Sequence, residues 1–212
     1  MNFGTNLMRQ ICPRCSRPVT ACICHWIAAV TPITDVLILQ HPLEVKQAKG
    51  SARLLQLCLA GSALHVAEQF DEAALKELLS AQGRTPVLLY PEWHDNQGMK
   101  APTQFDPALL DAPENVRLVI IDGTWRKSRK MLYLNPLLQN LPRLSLADMP
   151  ASHYRIRKAH RDDQLSTLEA GCYALMQLER NSEKYVPVLN AFDGFIRQQI
   201  ALSGRVEVGE SS

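Results

Sequence analysis

Two patterns of apolar and polar positions alternate along the chain. Short, nearly unbroken apolar runs occur at Asp35–Gln40 (DVLILQ), Pro86–Tyr90 (PVLLY) and Val116–Ile121 (VRLVII). Runs of this length bounded by turn residues predict strands buried on both faces. Arg143–Leu146 predicts a short fourth strand. Between these runs, apolar residues recur at helical spacing. Ser51–Gly61 predicts a helix with a Ser51 cap and a stop at Gly61. Further helices are predicted over Asp71–Ala81, Trp125–Leu134 (ending before Pro136), Ser166–Arg180 and Tyr185–Leu202. Ser166-Thr167-Leu168-Glu169 matches a capping box. The polar stretch Trp93–Pro107, with Gly98, Pro102 and Pro107, predicts a loop, and 203–212 a flexible tail. Strands alternating with helices predict an α/β fold, a mostly parallel sheet with helices on both faces.

The N-terminal segment breaks this pattern. Residues 1–28 hold four cysteines, three arginines and no acidic residue. Cys12-x2-Cys15 is followed by Cys22-x-Cys24, a ligand set that can close a tetrahedral structural zinc site. The alternatives are chance cysteines or a redox pair, with His25 a substitute ligand. Residues 1–30 are therefore expected to form a small zinc knuckle with four cysteine ligands, and 31–202 one α/β domain. Cys58 and Cys172 stand in apolar, helix-like surroundings and read as packing residues.

Composition excludes several classes. With 212 residues, 46% hydrophobic, the chain can build one sizeable core and is neither a disulfide-stapled mini-protein nor disordered. It has no apolar run long enough for a spanning helix and no signal-peptide core, so a soluble cytoplasmic protein is expected. The net charge of +2 argues, as a total, against a nucleic-acid partner. Resolved by position it does not: Arg126–Arg161 carries +8 and Glu68–Glu114 carries −6. The basic stretch interleaves His153, Tyr154 and His160, which suits phosphate contacts and base stacking. A solvated helix face is the alternative.

In open α/β sheets ligands bind beyond the carboxyl ends of the strands. Three strand ends carry polar and aromatic groups: Gln40-His41-Pro42-Leu43-Glu44, Pro91-Glu92-Trp93-His94-Asp95 and Asp122-Gly123-Thr124-Trp125. No Walker loop, dinucleotide fingerprint or nucleophile elbow is present, which disfavours NTPases, standard dehydrogenases and α/β-hydrolases.

With Asp122–Trp125 in place, the sequence resembles the DTW-domain family of tRNA-uridine aminocarboxypropyltransferases, in its bacterial type. The resemblance rests on an ordered set: the cysteine cluster, Gln40–Glu44, Ala52-Arg53-Leu54-Leu55, Tyr90-Pro91, Asp122–Lys127 and Ser166–Ala170. One departure is Glu92–Asp95, where many relatives carry a shorter acidic pair. The resemblance implies S-adenosylmethionine as donor and transfer of its 3-amino-3-carboxypropyl group to uridine N3 in tRNA, with release of methylthioadenosine. It also implies a SPOUT-like fold with a C-terminal trefoil knot. A monomer is expected, because N-terminal elements can stand in for a partner subunit.

On that reading Trp125 packs against the sulfonium and walls off its methyl group, with Ser128 one turn along; a core aromatic is the alternative. Asp122 takes the N3 proton or only caps the following helix, with His41 the reserve base. Glu44 or Glu169 receives the donor's ammonium; the alternatives are that His41 and Glu44 pair with each other and that Glu169 serves only the capping box. Ser166 and Thr167, with the free N–H groups of their helix start, receive its carboxylate. Tyr90, Pro91 and Thr124 also line the donor site. Arg126, Lys127, Arg129, Lys130, Arg155, Arg157 and Lys158 hold tRNA phosphates, a surface that Arg9, Arg14 and Arg17 extend. The rival readings are a SPOUT-like RNA methyltransferase and a non-catalytic, zinc-dependent RNA-binding protein.

Overall fold

The structure, a computed structural model, describes residues 10–91, 103–146 and 165–207, the side chains of the last three excepted. Five strands form one sheet: β1 (Asp35–Gln40), β2 (Ala63–Val66), β3 (Thr85–Leu89), β4 (Val116–Asp122) and β5 (Arg143–Leu144). Their order is β2-β1-β4-β3-β5, and every pairing is parallel. The helices are α1 (Ala52–Cys58), α2 (Glu72–Ser80), α3 (Trp125–Leu134), α4 (Pro136–Gln139), α5 (Thr167–Leu178) and α6 (Val186–Glu207).

The two faces of the sheet feed two cores. Val36, Ile38, Leu118 and Ile120 pack with Leu54, Leu55, Leu168, Cys172 and Phe192 from α1, α5 and α6. Leu37, Leu39, Leu88 and Val119 pack with Leu75, Leu79, Met131 and Leu138 from α2, α3 and α4. Alternate residues of each strand thus enter opposite cores, which explains why the strands read as unbroken apolar runs.

Strand order fixes the position of the site. After β1 the chain leaves towards β2 at one edge; after β4 it leaves towards β5 at the other. β1 and β4 are neighbours, with Gln40 in register with Asp122. Their connections diverge, so a crevice opens between their carboxyl ends, the usual binding position in such sheets.

Several boundaries differ from expectation. β2 is an additional strand; its half-exposed ALHV carries too weak a pattern to predict one. α1 ends at Cys58, and Gly61 lies in the following turn with φ +79°. Ser51 does not cap α1; its hydroxyl accepts the N–H of Leu168 on α5 at 3.2 Å. The final helix does not stop at Leu202: Ser203–Glu207, expected as flexible tail, continue α6.

The cysteine-rich segment is built into the body of the protein. Cys15 and Ile23 join the first core. Trp26 donates its indole N–H to Gln198 at 2.6 Å, and Gln198 donates to the Cys22 carbonyl at 3.1 Å. Trp26 packs directly over Gly194, where a Cβ would meet its ring at 2.1 Å. Arg17 lies over the Phe195 ring and donates to the carbonyls of Ala48 and Gly50 at 2.7 and 2.9 Å. That structural use accounts for an arginine expected on the RNA surface. Among the described residues no helix is long and apolar enough to cross a membrane.

Candidate active site

Asp122 ends β4 at the crevice and is 6% exposed. Thr167, at the start of α5, donates its hydroxyl to one carboxylate oxygen at 2.6 Å, and Gln40 donates its side-chain amide to the other at 2.8 Å. Asp122 does not cap α3: the cap position belongs to Thr124, whose side chain makes no capping bond. Burial pushes the Asp122 carboxyl above its ordinary range, opposed by the Thr167 and Gln40 hydrogen bonds. Each carboxylate oxygen retains acceptor capacity beyond its one donor. The group is thus a held carboxylate of raised basicity, suited to take a proton.

The loop after β1 is locked by ion pairs. His41 Nδ1 accepts the N–H of Leu43 at 3.1 Å, which leaves Nε2 to face Glu68 Oε1 at 2.9 Å. Both ring nitrogens are engaged, so His41 orders this loop and is poorly placed as a reserve base. Its carboxylate partner is Glu68, not Glu44. Glu44 instead pairs with Lys127 at 2.6 Å, and Glu68 also takes Lys130 at 2.9 Å. Two lysines expected to meet phosphate therefore neutralise carboxylates at the crevice. Gly123 lets α3 approach this loop closely: a Cβ there would lie 3.2 Å from Lys127 Cβ and 3.7 Å from His41 Cβ.

Trp125, the first residue of α3, is 46% exposed. It is not a core aromatic; it presents a large ring beside the crevice. It forms a T-shaped pair with Tyr90, 5.3 Å between centroids and 85° between planes. Tyr90 is buried beneath it, next to Ser128, and the Arg143 guanidinium lies 5.3 Å from its ring centroid. Ser128 is buried and donates to the Trp125 carbonyl at 3.0 Å, so it holds the helix start. Thr124 and Pro91 are exposed at the rim.

The start of α5 is occupied by its own bonds. Ser166 accepts the N–H of Glu169 at 3.2 Å, and Glu169 accepts the N–H of Ser166 at 2.9 Å, the full capping box. Leu168 N–H goes to Ser51, Ala170 N–H to the Ser166 carbonyl, and the Thr167 hydroxyl to Asp122. The expectation that Ser166, Thr167 and this helix start receive a carboxylate, or Glu169 an ammonium, finds these groups already engaged.

The four N-terminal cysteines meet. Their sulfurs all lie within 4.8 Å of one another, with Cys12–Cys24 at 3.7 Å and Cys15–Cys22 at 3.8 Å, and none forms a disulfide. Four sulfurs at about 2.3 Å from a tetrahedral zinc stand about 3.8 Å apart, so this set fits a metal ion. N–H groups of Cys15 and Arg14 bring the Cys12 thiol down to about 6, whereas burial and the neighbouring sulfurs push Cys24 up to about 12. A divalent cation relieves that conflict by favouring thiolate at every ligand.

Of the expected RNA-contacting residues, Arg126 is exposed on α3 and Arg129 partly so. Arg155, Arg157 and Lys158 lie outside the described residues, as do Arg9 and Glu92–Asp95. Gln40, Glu68 and Arg143 received no site role from the sequence. Gln40 carried a signal, its position at a strand end; Glu68 and Arg143 reach the site only through tertiary packing.

A parallel α/β sheet with a buried carboxylate at its switch point defines a class of binding and catalytic proteins, not one activity. Comparison with known proteins narrows it. The chain belongs to the DTW-domain family, whose model matches residues 9–200. It is 32% identical over 181 residues to tRNA-uridine aminocarboxypropyltransferase 2 of Macaca fascicularis, covering 82% of this chain and 58% of that protein. Against the Drosophila melanogaster protein of the same name, identity is 30% over 185 residues, 82% of this chain and 69% of that protein. Against tRNA-uridine aminocarboxypropyltransferase A of Arabidopsis thaliana it is 26% over 137 residues, 58% of this chain and 50% of that one. The chain thus spans little more than half the length of the primate relative. No solved structure matches the chain.

Proposed function

We propose that this chain transfers the 3-amino-3-carboxypropyl group of S-adenosylmethionine to N3 of a uridine in tRNA. The carrying observation is Asp122, buried and held by Thr167 and Gln40 at the sheet's switch point, three residues before the half-exposed ring of Trp125. The names of its relatives support the same reaction.

Asp122 takes the N3 proton, directly or through a water, and passes it to solvent. The N3 electron pair forms a bond to the γ-carbon of the aminocarboxypropyl group. The bond from that carbon to sulfur breaks, its electron pair stays on sulfur, and neutral methylthioadenosine leaves. A sulfonium is already activated, so no protein nucleophile is needed; Cys58 and Cys172 are buried packing residues. Catalysis is then mainly orientation, since pose decides which carbon beside sulfur faces N3. Trp125 lies against the sulfonium and excludes its methyl group, with Tyr90 bracing the ring. Glu44, sharing its charge with Lys127, faces the donor's ammonium. Residues 31–202 act as one SPOUT-like catalytic domain with a C-terminal trefoil knot. The all-parallel sheet and the contact of α5 with Asp122 support this arrangement.

Mass spectrometry of nucleosides, from tRNA incubated with the chain and donor, tests the reading. The expected product carries the mass increment of an aminocarboxypropyl group, and methylthioadenosine appears in equal amount. A methyl increment instead assigns the chain to RNA methylation; tRNA binding without product makes it a binding protein.

Arg126 and Arg129, with Arg155, Arg157 and Lys158, are assigned to tRNA phosphates. Changing the last three together to Ala is expected to weaken tRNA binding and reduce the salt slope by about 2–3. A slope equal to wild type would place the tRNA surface elsewhere. The cysteine cluster is assigned to zinc: metal analysis should find one zinc per chain, lost in Cys12→Ala. Because the knuckle packs into the first core, that variant should melt about 10 °C lower. A metal-free wild type that melts normally refutes the assignment.

A further inference from the structure

Arg143 on β5 is the chemical oddity of the described residues. It is 3% exposed, and none of its three guanidinium nitrogens has a hydrogen-bond partner. Beside it the Tyr90 hydroxyl, in a residue 5% exposed, also lacks a hydrogen bond of good geometry. A buried guanidinium without acceptors leaves five N–H donors unsatisfied, a cost proteins rarely carry without a use. Its only described compensation is the Tyr90 ring, 5.3 Å away, a weak substitute for an anion. Burial accordingly disfavours its charge, and nearby Tyr90 opposes that.

The location limits what the missing acceptor can be. Arg143 is in register with Leu88, two residues before Tyr90, and the Tyr90 ring meets Trp125 in a T-shaped contact. The unsatisfied donors therefore lie against Tyr90, the residue in contact with the ring assigned to the sulfonium. We infer that Arg143, with the Tyr90 hydroxyl, is the receptor for the α-carboxylate of the donor's amino-acid group. This rests on the proposed donor. A planar guanidinium fork matches a carboxylate bidentately, and the carboxylate is the donor's one anionic group. A tRNA phosphate, attached to a bulky polyanion, does not fit a residue so deeply enclosed. The alternative receptor, the start of α5, has its hydroxyls and most of its N–H groups engaged internally. Held from Arg143, the aminocarboxypropyl chain is anchored at its far end, which fixes the γ-carbon towards the acceptor and suits transfer of that group over methyl.

Calorimetric titration of the full chain tests this, with three probes: S-adenosylmethionine, its decarboxylated form, and methylthioadenosine. Wild type should prefer S-adenosylmethionine over the decarboxylated form by roughly 10–100-fold, the range of hydrogen bonds to a charged group. Arg143→Met should lose that preference while binding decarboxylated donor and methylthioadenosine as wild type does. Arg143→Lys should keep part of it, and Tyr90→Phe should reduce it less. A preference that survives in Arg143→Met overturns the assignment. So does a parallel loss for all three probes, which marks a packing role, or intact donor binding with weakened tRNA binding, which marks a phosphate site. Wild type that binds none of the three probes defeats the proposed donor itself; wild type that binds S-adenosylmethionine and its decarboxylated form equally defeats only the Arg143 assignment.

Discussion

Asp122→Asn should lower turnover by about 10²–10⁴-fold, the range typical of a lost general base, while the protein stays folded. Asn keeps the shape of Asp. It can accept the Thr167 hydroxyl and, with an amide flip, donate to Gln40, so both bonds at the strand end survive. The variant separates chemistry from stability because burial raises the Asp122 carboxyl. A carboxylate raised on folding adds stability only while protonated; as pH rises through its folded value, ionisation in the buried site costs stability. At neutral pH the neutral amide avoids that cost, and the melting temperature of Asp122→Asn should equal or exceed that of wild type. The same shift governs the activity profile. Asp122 must be ionised to take a proton, so kcat/KM should fall on the acid side at a pH above the ordinary carboxylate range. That limb should vanish from the residual activity of the variant. Near-normal turnover in Asp122→Asn would remove the proton-acceptor role; a large drop in melting temperature would make Asp122 a structural residue.

How much of this was legible in the sequence follows from which interactions are local. β1, β3 and β4 are strands buried on both faces, so their apolar runs report them directly. α3 carries its N-terminus at Trp125 and its stop before Pro136 in the sequence, and α5 carries its capping box. β2 was invisible because an edge strand half in solvent needs no apolar run. Strand-end reasoning found Asp122, His41, Glu44 and Tyr90, because chain direction alone places them at one end of the sheet. It could not find their partners. Thr167 meets Asp122 across 45 residues, Glu68 meets His41 across 27, and Lys127 meets Glu44 across 83. For that reason the alternative that His41 and Glu44 pair with each other fails, although both residues stand after the strand end from which the sequence places them. Arg143 shows the other limit. In the sequence it is one more positive charge of the basic stretch, with no role of its own, and only burial separates it from Arg126.

Trp125→Ala is expected to reduce kcat/KM for transfer by roughly 10²-fold, the cost of a reacting group misplaced by about 1 Å, with tRNA affinity retained. The ring is not part of either core, so its removal leaves no large internal cavity. α3 should also survive, since Ala is the better helix former at its first position. The direct loss of a cation held against an aromatic face is only about 0.5–2 kcal/mol, up to about thirtyfold in donor affinity. The remainder must come from orientation, and the two can be separated. If Trp125 only attracts the sulfonium, the variant loses affinity for S-adenosylmethionine and saturating donor restores turnover. If it also sets which carbon faces the acceptor, kcat stays low at saturating donor. Trp125→Phe should recover part of kcat, because a smaller ring still covers the sulfonium while meeting Tyr90 less completely. Methylthioadenosine, which carries no positive charge at sulfur, should bind the Ala variant with a smaller penalty than the charged donor. Equal penalties for both would mean that Trp125 contributes apolar contact alone and does not recognise the sulfonium. Wild-type kcat in Trp125→Ala would move the orienting surface away from α3 altogether.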